Sequence, residues 1–403
     1  MLKYLLVLDR HERPLTFNPT RTMEFPEIDA RVFLEGEDFV VENYFEGYFE
    51  NGVLQFLHPV DGPRTFAAKS LEEWLGLLDG FDGFVSGFSC AGELTVFRDF
   101  IGLIPVFAGG RPVAATNVAA EALRRNLAPL KPGTILSLST EKKKTLHLRP
   151  TEKTDVHMFV EVLSDAVSKF CPRNTAVFFS GGIDSLIIAK IMSDRGLRPL
   201  LLTAGVAGSK DFAAAEKAVL FLGLDHEKIF VDEGAVRAAL AMLEKVLGGM
   251  NVMDSAIGAA LAILSRRAAE LGRYAAVLGQ GADEIFGGYS KYEKTYVELG
   301  YDGLADDLER DLNFLGYSGL VRDFTAIRMG GAYPIPLYLT KNVLEHGLGV
   351  PVSLKVASVE GKIVRKHFLR MVCRELGLGE FADTAKKALQ YGSGIEKMVR
   401  KLR

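Results

Sequence analysis

The chain has 403 residues, 48% of them hydrophobic and 25% charged, with a formal net charge of -3. This length suggests two domains and this composition a globular protein with ample core, while the slightly negative balance argues against nucleic acid as a partner. No apolar run approaches the roughly 20 residues of a membrane helix, and the opening "MLKYLLVLDR" is too short for a secretory segment, so a cytoplasmic protein is expected.

In chain order, the first 150 residues read as short strands punctuated by turn residues. They are residues 44–57 ("YFEGYFENGVLQFL"), 81–99 ("FDGFVSGFSCAGELTVFRD"), 106–117 ("VFAGGRPVAATN") and 133–139 ("GTILSLS"). Residues 139–155 ("STEKKKTLHLRPTEKTD") are a polar, lysine-rich connector and mark the boundary between a first domain, 1–150, and a second, 151–403. Beyond it, apolar runs at 176–182, 197–205 and 274–281 alternate with helical stretches such as 211–223 and 257–272. That alternation predicts a parallel sheet with helices on both faces, whose ligands sit at the carboxyl ends of the strands. Cys90, Cys171 and Cys373 are far apart and form no metal-binding or disulfide pattern, so buried thiols are expected.

Residues 176–192, "AVFFSGGIDSLIIAKIM", carry the most chemistry. Val177, Phe178 and Phe179 read as a buried strand, and Leu186, Ile187, Ala189 and Ile191 as the inner face of a helix. Between them, Ser180, Gly181, Gly182, Ile183, Asp184 and Ser185 form a turn that leaves backbone N–H groups at a helix N-terminus, an anion site. The turn has no Walker-type lysine, and Asp184 beside an anion makes sense either as a Mg2+ ligand or as a plain helix cap. A second stretch, "LGQGADEIFGGY" at 278–289, puts Asp283 and Glu284 after another strand-ending glycine turn, and together the two stretches favour a metal held across ATP over two ordinary turns.

SGGxDS followed by GxGxDExFGGY resembles the synthetase domain of glutamine-dependent asparagine synthetases and their relatives, the PP-loop ATP pyrophosphatases. The resemblance continues in Thr203, Ala204 and Gly205, in "KKALQYGSG" at 386–394, in "RDFIGLIPVF" at 98–107 and in "LKPGT" at 130–134. It implies a mixed α/β and α+β chain: a degenerate glutaminase-like αββα sandwich, then an α/β PP-loop synthetase domain with a parallel sheet. It further implies an ATP-dependent carbon–nitrogen ligase that activates a small-molecule carboxylate as an acyl-adenylate, releasing pyrophosphate, with an amide formed by ammonia or an amine. By the same resemblance, Ser180, Gly181, Gly182 and Ser185 hold the pyrophosphate, Asp184 and Asp283 ligate Mg2+, and Phe178, Ala204, Gly205, Leu278 and Gly279 contact the nucleotide. Lys387 offsets charge at the α-phosphate, against the plainer reading of a surface lysine. An ammonia-delivering partner and a homodimer are the assemblies it allows, with no membrane and no nucleic acid.

Three departures qualify the resemblance. Residue 2 is Leu2 where the family's glutaminase carries its nucleophilic cysteine, so glutamine hydrolysis is not expected. Gln280 stands where the family has a glutamate that handles the ammonia nucleophile. "AYPIPLYL" at 332–339 replaces the family's ARVPFLD and lacks its arginine and aspartate, which puts aspartate as substrate in question. β-Lactam synthetases also lost the cysteine but place a tyrosine at the glutamate position, which this chain does not. Two other readings stand beside the ligase: an RNA-modifying enzyme using the same loop, which lacks a basic stripe and thiol-carrier cysteines, and a catalytically weak nucleotide-binding or regulatory protein.

Overall fold

The structure, a computed structural model, describes residues 3–7, 21–25, 30–35, 43–48, 54–57, 70–89, 94–110, 114–117, 119–383 and 392–403. Cys90 and Lys387 fall outside these. The first part holds strands β1 (Lys3–Val7), β2 (Arg21–Phe25), β3 (Ala30–Glu35), β4 (Asn43–Tyr48), β5 (Leu54–Leu57), β6 (Phe84–Ser89), β7 (Thr95–Arg98), β8 (Phe107–Gly109), β9 (Ala114–Thr116), β10 (Ala128–Pro129), β11 (Thr134–Ser137) and β12 (Lys143–Thr145). They form two antiparallel six-stranded sheets, ordered β10-β8-β9-β1-β3-β2 and β12-β11-β7-β6-β4-β5. Helix α1 (Leu71–Asp79) packs on the second sheet, its Trp74 stacked on Phe97 at 4.9 Å, and α2 (Ala119–Arg125) packs beside β8 and β9 of the first.

The lysine-rich connector departs in one place from its reading as a linker. Lys143–Thr145 pair with β11 and form the edge strand β12. Strand pairing needs only backbone groups, and lysines are well suited to a solvated sheet edge.

The second part contains α3 (Val156–Phe170), β13 (Thr175–Phe178), α4 (Ile183–Asp194), β14 (Leu200–Gly205), α5 (Lys210–Leu222), β15 (His226–Phe230), α6 (Glu233–Leu247), α7 (Val252–Glu270), β16 (Ala275–Leu278), α8 (Ala282–Phe286), α9 (Lys291–Leu315), α10 (Gly319–Gly330) and β17 (Tyr333–Pro336). After these come α11 (Lys341–Gly349), α12 (Val352–Lys355), the hairpin β18 (Val356–Val359) and β19 (Lys362–Arg365), α13 (His367–Glu375), α14 (Gly379–Ala382) and α15 (Ile395–Leu402). The expected parallel sheet is present, five strands in the order β15-β14-β13-β16-β17. Its three central strands are apolar but for Thr175 and Thr203, because both faces are covered. Val177, Phe179 and Leu201 pack with α3, α4, α5 and α13, whereas Phe178, Leu202, Ala204 and Leu278 pack with α6, α7 and α15. Cys171 and Cys373 are buried free thiols. Among the described residues no single helix is long and apolar enough to cross a membrane.

The stretch "RDFIGLIPVF" forms part of the seam between the two parts. Arg98 is fully buried and donates to the carbonyls of Ile104 (3.1 Å), Leu130 (2.7 Å) and Gly102, and to Gly316 at the end of α9 (2.8 Å). Asp99 accepts from the N–H groups of Ile101 (3.1 Å), Gly102 (2.7 Å) and Leu103 (3.2 Å). Burial drives the Arg98 guanidinium down to about 10, although Asp99 beside it works the other way. Arg98→Met fills the space but leaves four carbonyls without their donor. Each buried polar group stripped of its partner costs about 1–3 kcal/mol, so the unfolding midpoint in urea is expected to fall sharply. An unchanged midpoint would show that the seam is held elsewhere.

Candidate functional site

Strand β13 ends at Phe178, yet Phe179 N–H still donates to Leu202 O at 2.7 Å before the chain leaves the sheet. The turn that follows is pressed against α5. Gly181 has φ +71°, and a Cβ there would lie 2.6 Å from the backbone of Ala214 and Ala215, so only glycine fits. Gly182 caps α4 without any side-chain hydrogen bond to the first turn. The amino end of a helix attracts an anion through its dipole and the N–H groups of its first turn. Ser185 Oγ donates to Gly182 O (3.2 Å) and receives a long bond from Ser180 N–H (3.5 Å).

The second glycine turn sits directly on the first. A Cβ at Gly279 would lie 2.8 Å from Asp184 Cβ, and one at Gly281 (φ +91°) would lie 2.3 Å from Leu339 Cδ2. Phe178, Ala204, Gly205, Leu278 and Gly279 thus occupy the carboxyl ends of three adjacent strands, β14, β13 and β16. Gln280 is half-buried between the two glycines.

The structure brings Asp184 and Asp283 together, and the agent that joins them is a residue the sequence reading missed. Lys366 Nζ lies 2.8 and 2.6 Å from the two carboxylate oxygens of Asp184 and 2.7 Å from Asp283 Oδ1. Burial alone would lower the pKa of this ammonium, but the two carboxylates outweigh burial and hold it well above the ordinary lysine value. Lys366 has left-handed backbone (φ 52°, ψ 33°) just before α13, uncommon for a residue with a side chain. Gly288 makes the approach feasible, because a Cβ there would fall 1.7 Å from Asp283 Oδ1 and 2.3 Å from Lys366 Cε. Within "VRKHFL" nothing distinguishes Lys366 from a surface lysine. Its left-handed backbone was the only local oddity, and that is not visible in a sequence.

Beside this cluster Glu284 is buried and accepts from Tyr289 OH at 2.6 Å. Burial, with the Asp283 charge next to it, pushes the Glu284 carboxyl up to about 7. Tyr338 OH donates to Asp184 O at 3.1 Å and anchors the first turn of α4. Residue 387 lies outside the described residues, but its flanks are placed. Asp383 pairs with Arg374 (2.9 Å), and Ser393 O accepts Val206 N–H (2.9 Å) at the end of β14.

Two carboxylates converging on one cation suit a hard divalent ion, which takes one or two carboxylates and completes its shell with phosphate and water oxygens. Among the described residues no group of three or more His, Cys, Asp or Glu could hold a metal without such help.

Residues 158–330, from α3 to the end of α10, match the asparagine synthase family model. Over that stretch this chain is asparagine-synthetase-like. A Methanocaldococcus jannaschii protein that carries the name asparagine synthetase (glutamine-hydrolysing) is 29% identical over 56% of this chain and 47% of its own length. Asparagine synthetase B of Escherichia coli is 26% identical over 74% of this chain and 58% of its own. The human asparagine synthetase domain-containing protein 1 is 26% identical over 61% of this chain and 53% of its own. The asparagine-synthetase-like chain therefore spans about half the length of the curated relatives it matches. The family match includes Asp184, Gln280 and Asp283, and Lys366 falls beyond its end.

Proposed function

We propose that this protein is an ATP-dependent, AMP- and pyrophosphate-forming ligase that joins a carboxylate to ammonia or an amine. The observation that carries this is the convergence of Asp184 and Asp283 on a single cation position, beside a glycine turn that opens a helix. Residues 151–403 are the synthetase part of this reading and residues 1–150 a glutaminase-like part.

An oxygen of the acceptor carboxylate attacks the α-phosphorus of ATP, and the bond to the pyrophosphate oxygen breaks to leave an acyl-adenylate. The nitrogen nucleophile then attacks the acyl carbon, loses a proton and expels AMP. Asp184 and Asp283 would hold Mg2+, which supplies charge neutralisation at the phosphates. The N–H groups and serine hydroxyls between Ser180 and Ser185 bind the departing pyrophosphate, and the Lys366 ammonium offsets its charge from the same side. Phe178, Ala204, Gly205, Leu278 and Gly279 flank the adenosine, and Lys387 serves the α-phosphate. The test is incubation with Mg·ATP and a panel of carboxylic acids with an ammonium salt. Acid-dependent release of AMP and pyrophosphate is expected, and ATP left intact with every acid would defeat the proposal.

Gln280 supplies a second test of this reading. A glutamine has the shape and hydrogen-bonding ends of glutamate but cannot act as a general base. It therefore orients the acceptor or the nucleophile, and proton removal falls to another group. Gln280→Glu is expected to lower turnover on the natural acid by adding an uncompensated charge, and to create weak ammonia-dependent amidation of aspartate. General bases contribute about 10²–10⁴-fold, so the gain is within reach of an AMP assay. Wild-type protein that already makes asparagine at an ordinary enzymatic rate would overturn this account of Gln280.

A further inference from the structure

Thr203 is a polar residue in an apolar face. Its neighbours there, Val177, Phe179 and Leu201, are buried core, and Thr203 itself is 1% exposed. A valine would fill the same space without burying a hydroxyl, so the hydroxyl needs a reason. Thr203 Oγ1 lies 2.6 Å from Phe179 O and 2.9 Å from His226 Nε2. A carbonyl has no proton to give, so the shorter contact uses Thr203's own. The hydroxyl oxygen must then accept from His226 Nε2–H, which sets the tautomer of the ring. Both the neutral ring in that tautomer and the protonated ring carry this N–H, so the chain of bonds holds in either charge state.

What the chain of bonds holds is one peptide. The β13–β14 ladder ends at the pairing of Phe178 with Leu202, and Thr203's hydroxyl takes up the next carbonyl, that of Phe179. In a trans peptide the N–H of Ser180 points the opposite way, towards Ser185 Oγ at 3.5 Å and the inside of the glycine turn. We infer that His226 and Thr203 are positioning residues that aim the Ser180 N–H at the anion in that turn. The inference rests on the proposed nucleotide role of the turn and adds two residues of β14 and β15 to it.

Two measurements test it, one of them without ligand. Hydrogen exchange of a peptide covering residues 179–185 in the ligand-free protein should quicken in Thr203→Val and in His226→Leu, and return towards wild type in His226→Gln, whose amide restores a donor. Calorimetric titration with Mg·ATP should show each of the first two variants binding about tenfold more weakly, the size of one lost hydrogen bond. The double variant should bind no worse than either single one, because all three break the same chain. Unchanged exchange in Thr203→Val, or effects that add in the double variant, would overturn the inference. A merely structural role for His226 would not be rescued by glutamine. Wild-type protein that fails to bind Mg·ATP would sink the nucleotide reading, while the exchange result would still decide whether His226 and Thr203 set the turn.

Discussion

Asp184→Asn is expected to reduce AMP formation by about 10³-fold, equivalent to about 4 kcal/mol of transition-state stabilisation. Asparagine keeps the shape and one oxygen of the side chain but removes its charge. That loss weakens both the proposed metal position and the hold on Lys366, whose Nζ contacts both oxygens of Asp184 at 2.8 and 2.6 Å. The backbone of residue 184 should stay in place, because Tyr338 bonds to its carbonyl and not to its carboxylate. The measurement is AMP released per enzyme with the acid that the wild type turns over. Wild-type turnover in the variant would remove Asp184 from the chemistry.

Lys366→Met should act on both stability and metal binding. With the ammonium gone, Asp184 and Asp283 face each other without their shared cation, a loss that solvent at the 38% exposed Asp283 keeps below the about 3–5 kcal/mol of a fully buried pair. The same change opens the position between the carboxylates to a divalent ion. Mg2+ alone is therefore expected to raise the melting temperature of Lys366→Met and to leave the wild type nearly unmoved. Activity should fall as well, because the lysine no longer balances pyrophosphate charge. If Mg2+ alone stabilises the wild type as much as the variant, Lys366 does not compete for that position.

The parts of the site that were legible in the sequence are those made by neighbours in the chain. Gly181 and Gly182 read as a turn because paired glycines punctuate a strand, and Gly181 does adopt a left-handed conformation (φ 71°) that is closed to most other residues. The apolar runs of β13, β14 and β16 read as buried strands because both of their faces are covered. Asp184 and Asp283 stood out because a carboxylate beside an anion-binding turn needs a cation. The edge strand β12 inside the lysine-rich connector was not legible, since pairing is a property of backbone and leaves no side-chain period in three residues.

Lys366 shows what lay out of reach. It is 182 residues from Asp184 in the chain, and its place is set by how α13 docks. Phe368, two residues on, stacks on Phe286 of α8 with ring centres 5.7 Å apart and meets Phe159 of α3 edge-on at 5.5 Å. That aromatic contact seats the start of α13 beside the turn that carries Asp283. The contact between Arg98 and Gly316, 218 residues apart, has the same character. By itself the sequence determined the strand and helix periods, the two glycine turns and the acidic residues that follow them, because each depends on conformational preferences within a few residues. Which cation stands between Asp184 and Asp283, and which side chains orient the turn from behind, only the tertiary structure decided. Those contacts come from packing distant helices and strands against one sheet, and no local rule of spacing encodes them.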